Sequence, residues 1–525
     1  MTPFFGTEGK PPTVLLKQAQ RSPKMDLAPS DSLLPLWPGF AYKPHQITGV
    51  SWLLQREDAE NAGGLLCDEM GLGKTIEILG LMKNSKLRET LLLCPKAVLP
   101  QWFEAALRAG INVSVPKKDG VGWEIPSPFR ASSPTLFLSN YEKVLHNPVL
   151  GSRNWSRVVL DEAHRAVNSS GQIWKAVDKM KRKATWLVTA TPIVNELKDI
   201  KNLFALVGYD RAKLNNYAVL QQAVMEACLH RSMDEMREVL PELPDRPIIT
   251  KEVLDFDTED EADFYRGIQG HILRRWRALE HDKADANEMF RLLMRLRQLS
   301  LHPQVYIGSR KRESLGYNRP DWEDSSTKFS ALRRKIEASG RPARWIVFCQ
   351  FHDEMDLLQE YLLESPRVRN VVLYHGGMSD AAKAASLEET RAELDEEQHD
   401  ILLLQLHSGG VGLNLQHFSK VIFMSPWWTA ALMDQAVGRA VRIGQKKVVE
   451  VTLLVLKEEE TMNIDQKMLE KADTKRGMLE KLFTIASRGE PEPSALLGED
   501  DAASMASTPI PLVPAVAAGG GEDPN

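Results

Sequence analysis

Residues 63–82 read GGLLCDEMGLGKTIEILGLM: a short apolar run, a glycine-rich turn and a helical stretch. A strand that feeds a helix through such a turn is the context a phosphate-binding loop requires. Gly71 and Gly73 let backbone N–H groups converge on phosphate oxygens, and the helix that follows adds its positive N-terminal end. In this reading Asp68, Glu69, Met70, Gly71, Leu72, Gly73, Lys74 and Thr75 form the loop, with Lys74 reaching the β/γ-phosphates of ATP and the Thr75 hydroxyl on Mg²⁺. The general pattern G-x-x-x-x-G-K-[ST] asks for glycine at position 68, where this chain has Asp68. The alternative is a glycine-rich turn that binds nothing; strand, helix, Lys74 and Thr75 together disfavour it.

Working outward, VVLDEAH at 158–164 sets two acids at the end of an apolar strand, 87 residues after Lys74. There Asp161 can hold Mg²⁺ and Glu162 can orient or deprotonate a water beside the γ-phosphate, although acids at an ordinary helix start would look similar. In QAVGRAVRIGQKK at 435–447, Gln435, Arg439 and Arg442 fall at i, i+4 and i+7, which predicts one shared helix face. Two guanidinium groups so placed either pair with neighbouring acids or meet the phosphates of the first block as arginine fingers. Upstream, AYKPHQITGVSWLL at 41–54 puts Gln46 at the head of an amphipathic helix. A glutamine amide can donate to and accept from the adenine edge at once; an ordinary capping role is the alternative.

Around these motifs, short continuous apolar runs alternate with helical patterns, the signature of parallel sheets buried on both faces. It occurs twice. The first block predicts strands at Gly64–Cys67, Thr90–Leu93, Thr135–Leu138, Arg157–Leu160 and Thr185–Val188; the second at Arg344–Phe348, Asn370–Leu373, Ile401–Gln405, Lys420–Phe423 and Val449–Val455. Between them Leu197–Leu301 reads mainly as helix. The expected division is a loosely ordered arm over 1–36, a first α/β lobe over 37–245, a helical segment over 246–324, a second α/β lobe over 325–486 and an acidic, disordered tail over 487–525.

A chain of 525 residues, 43% hydrophobic and 26% charged, is too long for one core and ordinary for a globular protein. No stretch approaches the ~20 apolar residues of a membrane span, and the start lacks a signal-peptide pattern, so an intracellular protein is expected, with no membrane partner. Cys67, Cys94, Cys228 and Cys349 contain no C-x-x-C pair, which excludes a structural zinc site of that spacing and predicts reduced, buried thiols. The net charge of −5 argues against a uniformly basic coat, yet residues 264–312 carry eleven Lys/Arg against four Asp/Glu. That stretch, with Arg274, Arg275 and Arg277 around Trp276, is either a solvated helix face or a phosphate-binding surface. KMKRK at 179–183 is a weak nuclear-import pattern.

Taken together the motifs resemble those of the Swi/Snf-type ATPases of helicase superfamily II. The resemblance runs in order through YKPHQ (42), DEMGLGKT (68), LLLCPKAVLPQW (91), LSNYEKV (138), DEAH (161), LVTATPIVN (187), RLRQLSLHPQ (295), SSTKFSAL (325), WIVFCQF (345), YHGGMS (374), LLLQLHSGGVGLNLQHFSKVIFMSPWW (402) and DQAVGRAVRIGQKK (434), covering about 37–460. DEMGLGKT, LRQLSLHP and GRAVRIGQ are the most specific, and Asp68 fits this family's own version of the loop. His45, LVTATPIVN, Val441 and LHRSMDEM at 229–236 depart from it; the last stands where an Arg/Lys-rich run is usual and puts in doubt a basic contact, or the packing of the first lobe. SPWW and GGVGLN look most like a subgroup whose longer members insert a zinc-binding RING, which this cysteine pattern lacks.

The resemblance implies two RecA-like lobes that bind ATP and Mg²⁺ in their cleft and track along double-stranded DNA, remodelling nucleosomes or displacing other DNA-bound proteins; the nucleus is the expected place, with a bacterial or viral origin as the alternative, since the family has members in all three. It assigns Gln46 to adenine, Asp161 and Glu162 to metal and water, Thr189 and Thr191 to coupling, Gly410, Gly412 and Asn414 to DNA contact and sensing of ATP, and Arg439 and Arg442 to the arginine pair. A strand-separating DNA or RNA helicase, and a nucleotide-gated scaffold without turnover, are the competing readings.

Overall fold

The computed structural model describes residues 33–488 except 118–121, 125–128, 148–149, 152, 282–285, 315, 410–412 and 458–462. Most of the N-terminal arm, the acidic tail from 489, Gly410 and Gly412 therefore lie outside the described residues.

The first sheet holds β1 (Gly63–Leu66), β2 (Glu89–Cys94), β3 (Asn112–Pro116), β4 (Trp123–Glu124), β5 (Thr135–Asn140), β6 (Trp155–Asp161), β7 (Arg182–Val188) and β8 (Cys228–Leu229), in the order β4-β3-β5-β2-β6-β7-β1-β8. All its pairings are parallel except β3 with β4. The second holds β9 (Ile248–Leu254), β10 (Arg344–Cys349), β11 (Val368–Tyr374), β12 (His399–Gln405), β13 (Lys420–Phe423) and β14 (Glu450–Leu456), all parallel, in the order β11-β12-β10-β13-β14-β9. Each of the ten expected strands is present, and two parallel-sheet lobes of the RecA type stand as the fold.

The strands read as continuous apolar runs because both faces of each sheet are covered. Leu65, Cys67, Leu91, Leu93, Val158, Leu160 and Leu187 face one core of the first lobe, and Leu66, Leu92, Cys94, Val159, Trp186 and Val188 the other. In the second lobe Val347, Leu403, Ile422 and Leu454 oppose Ile346, Phe348, Leu402 and Phe423 across the sheet in the same way. All four cysteines are free and buried.

Between the lobes the segment expected to be helical contains three helices, Glu259–His281, Ala286–Leu301 and Pro303–Glu313, together with strand β9, which pairs with β14 at the edge of the second sheet. The helices bury Tyr265, Ile272, Leu292, Leu296, Leu299 and Tyr306 in the second lobe's core. That core encloses an ion pair, Lys328 Nζ to Asp465 Oδ2 at 2.6 Å with both side chains at most 1% exposed. Asp465 also accepts from Ser300 Oγ, Ser425 Oγ and the Leu456 N–H. Asp465 opens the helix Ile464–Arg488, which leaves the second lobe and reaches the first, where Lys475 Nζ donates to Asn195 Oδ1 at 3.1 Å.

Arg182 of KMKRK is spent on the fold: its guanidinium donates to the carbonyls of Val177, Met180 and Leu206 and to Thr185 Oγ1. Among the described residues no helix is long and apolar enough to cross a membrane.

Candidate active site in the cleft between the lobes

Strands β6, β7 and β1 are neighbours in the first sheet, so the loops leaving their C-terminal ends converge; in open parallel sheets this is where ligands bind. The loop after β1 turns through Gly71 and Gly73, both left-handed at φ +91° and +90°, and Gly73 caps the helix Lys74–Asn84. At these φ values a side chain would be strained at either position, and a Cβ would also displace Met233 Cε, 2.8 Å from Gly71, or Gln46 Nε2, 2.6 Å from Gly73. Lys74 Nζ donates to the Asp68 carbonyl at 2.7 Å and the Glu69 carbonyl at 3.3 Å, which holds it inside the loop. Thr75 follows in the first turn, half-buried.

Asp68 does not face that loop. Its buried carboxylate is turned into Arg231, whose Nε reaches both oxygens at 3.1 and 2.9 Å, while another arm of the guanidinium reaches Glu77 Oε1 at 2.5 Å. Burial works against the charge on Arg231, but Glu77 and Asp68 outweigh it and hold its pKa above the ordinary arginine range. Glu69 Oε2 accepts from the Met233 N–H at 2.6 Å, and burial pushes its carboxyl up to about 7. Met70 faces the second lobe, with Gly438 against its Cβ. Leu72 packs with Met233, Leu240 and Leu243, and Ile443 of the second lobe joins them. Gln46 is buried; its Oε1 accepts from the Lys43 N–H at 3.1 Å, capping its own helix, and its amide nitrogen lies over Gly73.

The acids after β6 sit beside this loop. Asp161 Oδ2 accepts from Trp102 Nε1 at 2.7 Å, and Oδ1 from the Glu162 N–H at 3.1 Å. Burial, with Glu162 alongside, pushes the Asp161 carboxyl up to about 6. Glu162 has φ +54°, the one left-handed non-glycine residue among those described. Burial opposes its ionisation too, but His164, Arg439 and Lys74 prevail and hold it down at about 2. His164 Nδ1 lies 3.4 Å from Glu162 Oε2 and 3.3 Å from Thr189 Oγ1, which is 3.4 Å from Thr191 Oγ1. The expected coupling residues are thus joined to the acid pair through His164.

The second lobe closes the site. Gln435 Nε2 donates to Glu162 Oε1 at 2.9 Å across the cleft. Arg439 is buried and senses Glu162 and Asp161 electrostatically; burial lowers its pKa to about 10, and burial lowers that of Arg442 as well. The expected single helix face is corrected here. The helix Ala430–Val437 ends at Gly438, and Arg439 and Ala440 bond back three residues, so Arg439 and Arg442 lie on the turn after it. Glycine at 438 sustains the helix poorly, and the turn there lies against Met70. Asn414 is exposed on a neighbouring loop, tied in by the Leu415 N–H to the Arg439 carbonyl at 3.2 Å.

The basic stretch 264–312 looks different in three dimensions. Arg266, Arg275, Arg295, Arg310, Lys311 and Arg312 pair with Glu259, Glu288, Glu313, Asp321 and Asp353. Arg297 is buried with its guanidinium 4.1 Å from the Trp427 ring centroid, and Trp276 packs against the second lobe's core. Arg274, Arg277 and Arg291 remain exposed. Two residues of this site were not singled out beforehand: His164, whose signal was its place in DEAH, and Arg231, which had none beyond the unusual LHRSMDEM run.

The family model of the SNF2-related domain matches residues 45–305, and that of the helicase conserved C-terminal domain matches residues 327–444. An uncharacterized ATP-dependent helicase of Mycoplasma genitalium is 26% identical over 84% of this chain and 42% of its own length. A probable global transactivator of Orgyia pseudotsugata multicapsid polyhedrosis virus is 26% identical over 84% of this chain and 91% of its own. The chain therefore spans less than half of the first relative and most of the second. Among solved structures, the Sulfolobus solfataricus SWI2/SNF2 ATPase core domain is 21% identical, with 88% of this chain and 93% of that one covered and a TM-score of 0.39. With its two family domains in order across both lobes, the chain belongs to the SNF2-related family of Swi/Snf-type ATPases in helicase superfamily II.

Proposed function

We propose that this chain is an ATP-dependent translocase on double-stranded DNA that displaces or remodels bound protein, nucleosomes among the candidates. The observation that carries it is the meeting of both lobes at one carboxylate: Gln435 of the second lobe donates to Glu162 of the first, with Lys74 and Arg439 bearing on the same acid. A nucleotide between them would be gripped from both sides, so its hydrolysis would change the fit of the lobes.

The residues suit ATP with Mg²⁺. A threonine hydroxyl and a carboxylate are the hard oxygen donors that ion takes, and a buried acid beside a second acid gains from a divalent cation. Mg²⁺ would be held by Asp161 and Thr75 and would neutralise developing phosphate charge. Lys74 would exchange its two loop carbonyls for β/γ-phosphate oxygens. Glu162, held ionised, is suited to orient a water and take its proton. Arg439 and Arg442, desolvated and so unscreened, would stabilise the transferring phosphoryl group, a contribution of ~10³–10⁵ in rate. Gln46 would read adenine, and Glu162, His164, Thr189 and Thr191 would carry the state of the site toward the DNA face.

On that face Gly410, Gly412 and Asn414 are the proposed contacts of the second lobe, with Arg274 and Arg277 adding phosphate contacts; Arg275 would first have to leave Glu288. Backbone contacts make binding insensitive to sequence and steeply weakened by salt. Such an enzyme works where its DNA lies, the nucleus in a eukaryotic cell.

ATP hydrolysis with no nucleic acid, duplex DNA, single-stranded DNA and RNA, alongside Lys74→Ala and Glu162→Gln, tests the reading. Stimulation mainly by duplex DNA, lost in both variants, is the expected result. Stimulation by single strands or RNA alone, with unwinding of a forked duplex, would replace it with a strand-separating helicase; ATP binding without turnover would leave a scaffold.

A further inference from the structure

Arg231 joins three pieces of the nucleotide site that the chain supplies from distant stretches. Its Nε and one amino group hold Asp68 in the phosphate loop, and the same amino group reaches Glu77 in the helix that follows. The other amino group donates to the His45 carbonyl and, at 3.2 Å, to Thr48 Oγ1. His45 and Thr48 flank Gln46, so the guanidinium grips the helix Pro44–Glu57 at the turn that carries the proposed adenine contact. Gly49 completes the junction: a Cβ there would stand 2.1 Å from Glu77 Oε1 and 3.1 Å from an Arg231 nitrogen, so this helix comes closer than a side chain allows. Arg231 is itself fixed by its backbone, whose carbonyl accepts from the Glu69 N–H at 2.9 Å just after β8.

An ion pair that only supported the fold would need no connection to the base side of the site. This one spends a third of its fork there, and planar guanidinium geometry makes the spacing rigid. We propose that Arg231 is a positioning residue for the nucleotide base: it sets the distance between Gln46 and the phosphate loop, and the preference for adenine over guanine depends on it. The proposal rests on the ATPase reading above and on Gln46 as the adenine contact.

The test is kcat and KM for ATP and for GTP, with saturating duplex DNA, in the unaltered chain, Gln46→Ala, Arg231→Lys, Thr48→Val and the Gln46→Ala/Arg231→Lys double variant. Lysine keeps the charge for Asp68 and Glu77 but lacks the fork that spans to His45 and Thr48. The expected result is a fall of about tenfold in the ATP:GTP ratio of kcat/KM for Arg231→Lys, one hydrogen bond's worth, arising in KM for ATP. Thr48→Val should lower the ratio less, and the double variant should be no worse than Gln46→Ala, since both act on one contact. An unchanged ratio in Arg231→Lys, with both nucleotides slowed alike, would overturn the proposal and leave Arg231 as structural support. Should Arg231→Lys fail to fold, an unchanged ratio in Thr48→Val overturns it equally. A ratio that falls in Arg231→Lys but not in Gln46→Ala would remove Gln46 as the adenine contact and overturn the proposal, because Arg231 would then act on the base by another route. If no nucleotide is hydrolysed, the ATPase reading fails separately, and equilibrium binding of fluorescent ATP and GTP reads the same ratio without turnover.

Discussion

Asp465 and Asp161 are both buried aspartates, and their surroundings are opposite. Asp465 has Lys328 at 2.6 Å, two serine hydroxyls and a backbone N–H, so its charge is fully answered inside the second lobe. Asp161 has an indole N–H and one backbone N–H, and its neighbour Glu162 is another acid. The first arrangement cements a core; the second has Lys74 and Arg439 bearing on it from a distance and suits the Mg²⁺ proposed above. Burial alone distinguishes neither, and the difference lies in whether a cation of the chain itself is in contact with the carboxylate.

Four substitutions probe that contrast. Asp161→Asn should cut DNA-stimulated ATP hydrolysis by ~10³-fold or more while leaving the denaturant midpoint unchanged or higher, since it removes a desolvated charge beside Glu162. An unfolded Asp161→Asn protein would collapse the contrast. Lys328→Met should do the reverse on stability, lowering it by about 3 kcal/mol in urea titration because Asp465 is left without its counter-ion. Glu354 lies between the two cases: its carboxylate accepts from the Gln350 and Phe351 N–H groups, yet burial pushes it up to about 7. The folded chain keeps a proton there that the unfolded chain gives up near 4.5, so stability should fall as pH rises from about 4.5 to 7. Glu354→Gln should remove that fall, about 3 kcal/mol over the range, read as melting temperature against pH. Trp102→Phe should cost about 1 kcal/mol of stability by removing the N–H from Asp161.

The sheets were legible because doubly covered parallel strands are continuous apolar runs, as in LLLC at 91–94 or ILLL at 401–404. Strand β9 was not: at the sheet edge, IITKEVL is largely exposed and carries no such run. The nucleotide loop and the acid pair were legible because their chemistry is local in sequence. How far the basic stretch 264–312 is paired was not legible, because acids from outside it, among them Glu259, Glu313, Asp321 and Asp353, consume much of its charge. The helix after Gln435 was extended past Gly438, a residue that itself signals a stop. Arg231 was illegible because its partners lie up to 186 residues away.

The left-handed backbone at Glu162 has a consequence for how this protein can be improved. A side-chain-bearing residue at φ +54° costs of order 1 kcal/mol, which glycine or asparagine would relieve. Selection of a library for heat resistance alone should therefore enrich Gly and Asn at position 162, and every such winner would be a sturdier protein that has surrendered its proposed base.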